Sequence, residues 1–241
     1  MDSKIAEIVE PLLREADRVL QDGYSAVLYG SAARGDYFER TSDINLLLLL
    51  PDAAPATLRA LGPAFRAWRE KVAVPPLIMT REEWDKADDV FPLELTDIHA
   101  AYEMLRGPDP VASARVDRSG LRHALESELR GKLLRLRQGF ALLEEDPKLL
   151  GALATHTLPT LLVLFRALLE LHRRPVVPPS DSDQVVREVA RLVAASPEGA
   201  LAVVRHRAEP EWTCTSAQFE EYLAMVERAA HHVDHFQSGD S

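Results

Sequence analysis

Cysteine is almost missing from this chain. Cys214 stands alone among 241 residues, so no intrachain disulfide can form and a cysteine-rich zinc site is excluded. Long apolar runs are missing too: none reads as a membrane span, and Met1-Asp2-Ser3-Lys4 leads into an amphipathic pattern rather than a secretory leader. These absences point to the cytoplasm and away from a membrane. Basic residues are in deficit, with 28 Lys and Arg against 38 Asp and Glu. The deficit is uneven, since residues 1–112 hold 20 acids and 12 bases and the remainder 18 and 16. Phosphate backbones are held by clustered Lys and Arg, so this balance argues against a broad nucleic-acid face and favours a small molecule or another protein as partner. What is present, 46% hydrophobic and 27% charged residues, is the make-up of a soluble globular protein, long enough for one large domain or two small ones.

The chain is organised around residues 24–50. An apolar, strand-like run from Tyr24 ends in Gly30-Ser31, a polar turn carrying Arg34 follows, and Ser42-Asp43-Ile44-Asn45 leads into five consecutive leucines. Gly30 allows close backbone approach to a ligand, Ser31 adds a hydroxyl beside peptide N–H groups, and Arg34 adds a charged fork. Asp43 and Asn45, two apart, point to one face of a strand while Ile44 and Leu46 point to the other. Two oxygen ligands across from a phosphate-gripping turn suggest Mg²⁺ and a nucleoside triphosphate. The plain structural alternative is a β-turn between two core strands.

This stretch resembles the signature of the DNA polymerase beta superfamily of nucleotidyltransferases: an apolar strand, Gly-Ser, a linker, then Asp-x-Asp opening the next strand. Eleven residues, Ala32 to Ser42, separate Ser31 from Asp43. Ala33-Arg34-Gly35 and the serine before Asp43 are similar to the branch of small prokaryotic and antibiotic (kanamycin-type) nucleotidyltransferases. The resemblance covers residues 1 to about 110. It implies ATP or another NTP as substrate, Mg²⁺ on Asp43 and Asn45, and phosphates on Gly30, Ser31 and Arg34. Two departures stand out. The second aspartate of the signature is Asn45, whose amide oxygen can ligate Mg²⁺ but brings no charge, so metal affinity should be weaker. The third carboxylate expected on the following strand is replaced by Val74-Pro75-Pro76.

Periodicity predicts an amphipathic helix over 3–21 with Pro11 kinking it or marking its start, a helix over 55–71 interrupted at Gly62-Pro63, a short edge strand over 76–80 and a capping pattern at Thr80. Residues 92–104 read as a helix with Leu93, Leu95, Ile98, Ala101 and Leu105 on its packed side and Glu94 and Asp97 on a solvated face. Read instead as a strand, the segment would turn Glu94 toward the site as general base. His99 reads as a surface histidine. Arg106-Gly107-Pro108-Asp109-Pro110 is the breaker cluster that divides a domain of 1–110 from one of 111–241.

Beyond it the pattern is helical throughout. Helices are expected over 119–144, 147–172 (central, bent at Pro159), 183–195 (capped by Ser180 or Ser182), 198–206 and 215–236, with a turn-rich linker at 175–183 and a frayed end at 238–241. The first of these is basic, and the resemblance implies that Lys132 and Arg135 face the triphosphate; the alternative is ordinary pairing of its bases with Glu126 and Glu128. Arg166 and His172 faintly echo a helical ribonuclease signature, and His231, His232 and His235 sit at spacings compatible with a metal.

The fold class expected is therefore α+β, a nucleotidyltransferase sheet flanked by helices, followed by an all-α bundle that also offers a surface for a homodimer. The function expected is Mg²⁺-dependent transfer of a nucleoside monophosphate to a hydroxyl of a small molecule or protein, with Asp43 and Asn45 on the metal and Glu94 as base. A degenerate nucleotide-binding or regulatory module and an antitoxin-like protein partner are the alternatives.

Overall fold

In the computed structural model, residues 2–35, 37, 43–88, 90–173 and 181–236 are described. They form two compact units that divide between Val116 and Asp117.

The first unit opens with α1, Ser3–Leu20, whose N-cap Asp2 accepts from the Lys4 amide. α1 runs through Pro11 without restarting there, because burial of Ile5, Val9, Leu12, Leu13 and Ala16 on one stripe outweighs the one lost hydrogen bond. Strand β1, Ser25–Tyr29, is buried at every position and leads through a single helical turn, α2 (Ser31–Arg34), toward β2, Asn45–Leu50. Helix α3, Pro55–Arg69, is continuous across Gly62-Pro63, which corrects the expected interruption. Then follow β3 (Leu77–Thr80), the one-turn α4 (Arg81–Trp84) closed by a Thr80/Glu83 capping box, and α5, Pro92–Ala100.

Here the structure corrects the reading of 92–104 as one helix. The helix ends at Ala100, and Tyr102–Arg106 is a fourth strand, β4, that pairs antiparallel with β1. The sheet order is β3-β2-β1-β4, with β2 antiparallel to β1 and parallel to β3. β3 is an edge strand, as its prolines required.

The leucines of β2 are buried on both faces. Ile44, Leu46, Leu48 and Leu50 join the core against α1 and α3, while Leu47 and Leu49 join a second core with Leu95 and Ile98 of α5. Each such side chain contributes at most about 1.5–3 kcal/mol of transfer free energy. Strand alternation then fixes the site: Asn45 has the parity of Leu47 and Leu49, so it projects to the α5 side, and so does Tyr29, its partner across the ladder.

The second unit contains α6 (Arg118–Leu143), α7 (Pro147–Leu171), α8 (Ser182–Val193), α9 (Glu198–His206) and α10 (Ser216–Asp234). α7 is its centre, touching the other four helices and continuing through Pro159. By length and composition α7 could cross a membrane, but more than half of its apolar stretch is buried inside the unit. Asp181, rather than a serine, caps α8 through the Gln184 amide; Ser180, the linker 175–180 and the tail 238–241 lie outside the described residues.

Candidate functional site

The site grows from the end of β1. Gly30 takes φ 73° and ψ −148°, a conformation open in practice to glycine alone, and turns the chain into α2. Its carbonyl accepts from the amides of Ala33 and Arg34, and Gly35, at φ 80°, closes the turn by donating to the Ser31 carbonyl. The amides of Ser31 and Ala32 open this turn without an acceptor inside it. The Ser31 side chain is half-buried beside them. Asp43 is exposed at the entry to β2 and Asn45 is half-buried at its first position. The loop residues 36 and 38–42, including Ser42, lie outside the described residues.

Asp97 is the residue that sequence reasoning misplaced. It does not lie on a solvated face: it is 7% exposed, and its Oδ1 accepts from Arg34 Nη1 at 2.7 Å, with the Arg34 side chain only 3% exposed. Arg34, expected to offer its fork to a ligand, is thus turned inward against α5. The signal that could have found this pair was the complementary charge of two residues 63 apart, which leaves no periodic trace.

Asp97 and Asn45 meet over Gly30. A β-carbon built on Gly30 would lie 2.7 Å from Asn45 Nδ2 and 3.3 Å from Asp97 Oδ2. Glu94 is exposed in the first turn of α5. The Tyr29 hydroxyl is held protonated far above the ordinary tyrosine range, first by burial and then by the charges of Asp97 and Glu94, which places both acids electrically near the end of β1. No acid stands on β3, whose sequence is Leu-Ile-Met-Thr.

Asp43 and Asn45 offer a carboxylate and an amide oxygen, donor types that suit a hard cation, and the Asn45 amide lies over Gly30 with its Nδ2 nearest the glycine. Among the described residues no three His, Cys, Asp or Glu side chains converge as a metal cluster. The C-terminal histidines diverge. His231 and His235 stack on each other, while His232 Nε2 lies 3.0 Å from His172 Nε2. Arg166 is buried in α7, 5% exposed, and His172 caps that helix against Phe236. His99 is exposed and reaches the Val111 carbonyl at 3.2 Å.

On α6 most bases are engaged. Arg122 and Arg130 pair with Glu126, Arg130 also with Asp234, and Arg137 with Glu227. Lys132 and Arg135 have no ion-pair partner among the described residues.

Comparison with known proteins agrees with this geometry. Residues 8–97 match the family model of the nucleotidyltransferase domain, a stretch that runs from α1 to Asp97. Among solved structures, the spectinomycin adenyltransferase AAD(9) from Enterococcus faecialis, determined with ATP and spectinomycin, aligns with a TM-score of 0.58 at 11% identity, covering 95% of this chain and 98% of that one. No curated protein matches the chain significantly. The two findings support the nucleotidyltransferase superfamily, and the structural likeness establishes the fold class over nearly the whole chain: a mixed sheet flanked by helices, then a helical C-terminal region.

Proposed function

We propose that the protein is a Mg²⁺-dependent nucleotidyltransferase that moves a nucleoside monophosphate from ATP, or another NTP, to a hydroxyl of a small molecule in the cytoplasm. The observation that carries this reading is the convergence of the Gly30-Ser31 turn, Asp43 and Asn45 at one end of β1 and β2, inside the segment that matches the nucleotidyltransferase domain. In the reaction the acceptor oxygen attacks the α-phosphorus in line, the bond to the β-phosphate bridging oxygen breaks, pyrophosphate leaves, and the hydroxyl proton passes to a base. Ser31 and the open amides of α2 hold phosphate oxygens, and Glu94, exposed on the first turn of α5, is the candidate base. Mg²⁺ held by Asp43 and Asn45 would neutralise the triphosphate charge during transfer. The adenyltransferase neighbour carries spectinomycin, so hydroxyl-bearing small molecules of that kind head the acceptor list.

Asn45 and the acid-free β3 favour one second reading, a module that binds nucleotide without turnover. Calorimetry with Mg²⁺-ATP on the wild type and Asp43→Ala, together with pyrophosphate release over an acceptor panel that includes spectinomycin, separates the two. Binding lost in Asp43→Ala with acceptor-dependent pyrophosphate supports the enzyme. Binding without pyrophosphate for any acceptor supports the module, and no binding in the wild type sinks both.

A further inference from the structure

Tyr29 ends β1 one residue before the Gly30 turn, and the two halves of its side chain have different surroundings. The ring is packed away: the residue is 9% exposed and belongs to the core that Leu95 and Ile98 of α5 share with Leu47 and Leu49. The hydroxyl has no hydrogen-bond partner among the described residues. It is not one of the atoms sealed from solvent in that condition, so it stands at the rim of the packed ring, within reach of a ligand atom. Phenols set this deeply ordinarily find a partner, and others in this chain do. Tyr24 donates to Asp17 Oδ1 at 2.6 Å, Tyr102 to Asp109 Oδ2 at 2.9 Å, and Tyr222 Oη lies 3.1 Å from Thr157 Oγ1. The open hydroxyl is on the face of the site. Asn45 is the partner of Tyr29 across the β1–β2 ladder and shares that face. From α5 the charges of Asp97 and Glu94 reach the phenol and, after burial, help to keep it protonated. Asp97 is already paired with Arg34 at 2.7 Å. Glu94, exposed on the first turn of α5, has no ion-pair partner among the described residues. The end of β1 therefore sets an unengaged O–H donor on the sheet side and an unengaged carboxylate on the helix side.

We propose that Tyr29 binds the acceptor substrate: its hydroxyl donates to the oxygen of the acceptor hydroxyl whose proton passes to Glu94, and it thereby selects hydroxyls over amines as acceptors. The inference rests on the nucleotidyltransferase reading above. An alcohol oxygen carries one hydrogen and two lone pairs. The hydrogen goes to the Glu94 carboxylate and one lone pair accepts from Tyr29. The other lone pair forms the bond to the α-phosphorus as the bond to the bridging oxygen breaks and pyrophosphate leaves. Tyr29 keeps its own proton throughout. A neutral amine has a single lone pair: given to Tyr29 it cannot attack, and given to phosphorus it leaves the phenol without an acceptor. A site built to donate to an attacking oxygen thus discriminates by leaving its donor unpaired with the wrong substrate.

The test compares Tyr29→Phe with Tyr102→Phe in the full chain, by pyrophosphate release over spectinomycin, inositol and glycerol as acceptors, with Mg²⁺-ATP calorimetry and melting temperature alongside. Phenylalanine keeps each ring and removes only the hydroxyl. Tyr102 is the control because it is paired with Tyr29 across the β1–β4 ladder, on the same face, while its hydroxyl is already given to Asp109. Tyr29→Phe should keep the wild-type melting temperature and ATP affinity, since no bond within the chain is lost. Its kcat/KM for the best acceptor of the panel should fall about three- to tenfold, the worth of one neutral hydrogen bond. With the reacting hydroxyl of that acceptor replaced by an amine, Tyr29→Phe should lose nothing, so the preference for hydroxyl over amine drops by the same factor. Tyr102→Phe should leave the acceptor kinetics unchanged. Wild-type acceptor kinetics in Tyr29→Phe, with Asp43→Ala inactive, overturn the proposal and leave the parent reading standing. A lowered melting temperature with ATP and acceptor affinity lost together, or equal losses on the hydroxyl and amine acceptors, overturn it in favour of a structural hydroxyl. No pyrophosphate from the wild type with any acceptor sinks the proposal together with the enzyme reading beneath it.

Discussion

Two glycines five positions apart in the sequence carry different duties, and substitution tells them apart. Gly30 and Gly35 both have positive φ, 73° and 80°, so alanine at either strains the backbone by roughly 1–3 kcal/mol. At Gly35 that is all, because nothing lies within 4 Å of an added β-carbon. At Gly30 the new carbon would press on Asn45 Nδ2 at 2.7 Å, closer than real β-carbons approach, and displace the amide from the site. Denaturant unfolding should therefore show a similar loss of stability for Gly35→Ala and a larger one for Gly30→Ala, and only Gly30→Ala should also lose Mg²⁺-ATP binding. Binding retained by Gly30→Ala would remove Asn45 from the site. A second residue-scale expectation concerns Cys214, buried and with its thiol pushed up to about 11 by burial. Its thiolate is scarce at neutral pH, so a thiol reagent should react only as fast as the helical unit opens, and a full equivalent should appear at once in denaturant.

At the scale of elements, what could be read in the sequence depended on whether its cause was local. β1, β2 and β3 were legible because an unbroken apolar run or a proline edge announces a strand within a few residues, and the helices of the second unit were legible from their 3.6-residue stripes. β4 was not, because Tyr102–Arg106 follows Ala100-Ala101 without a breaker and every one of its residues is half-buried, so nothing in the sequence interrupts the helical period of α5. Asp97 was not legible for a deeper reason. Its burial is licensed by Arg34 from another element, and a long-range ion pair has no sequence period. Local causes can also be weighed. The one-turn α4 is too short to hold itself and relies on the reciprocal Thr80/Glu83 box, in which Glu83 N donates to Thr80 Oγ1 at 3.2 Å and Thr80 N to Glu83 Oε2 at 2.7 Å. That turn delivers Trp84 to the second core, where its Nε1 donates to the Pro110 carbonyl at 3.1 Å. Thr80→Ala should cost about 1 kcal/mol in chemical denaturation, and a change in Trp fluorescence in the folded state should accompany it.

Across the whole molecule, each unit carries a tyrosine that cannot ionise while folded. In the first unit the Tyr24 hydroxyl donates to Asp17 Oδ1 at 2.6 Å, and burial followed by that carboxylate pushes its pKa far up; Tyr29 is raised by burial and then by Asp97 and Glu94. In the second unit Tyr222, wholly buried beside Thr157, is raised by burial. In the unfolded chain all three ionise near pH 10. The unfolded state therefore loses protons first as pH rises, and stability contributed by these groups is full below about pH 10 and falls above it, by about 1.4 kcal/mol per pH unit for each group until its folded pKa is reached. Because both units hold such a group, alkali should unfold both, not the sheet alone. Absorbance at 295 nm during an alkaline titration should show a first step near pH 10 smaller than the five tyrosines of the chain require. The missing amplitude should appear later, together with the loss of far-ultraviolet helix signal. A full five-tyrosine step near pH 10 with the circular dichroism unchanged would mean that these hydroxyls are open to solvent, and the packing described around Tyr24, Tyr29 and Tyr222 would be wrong.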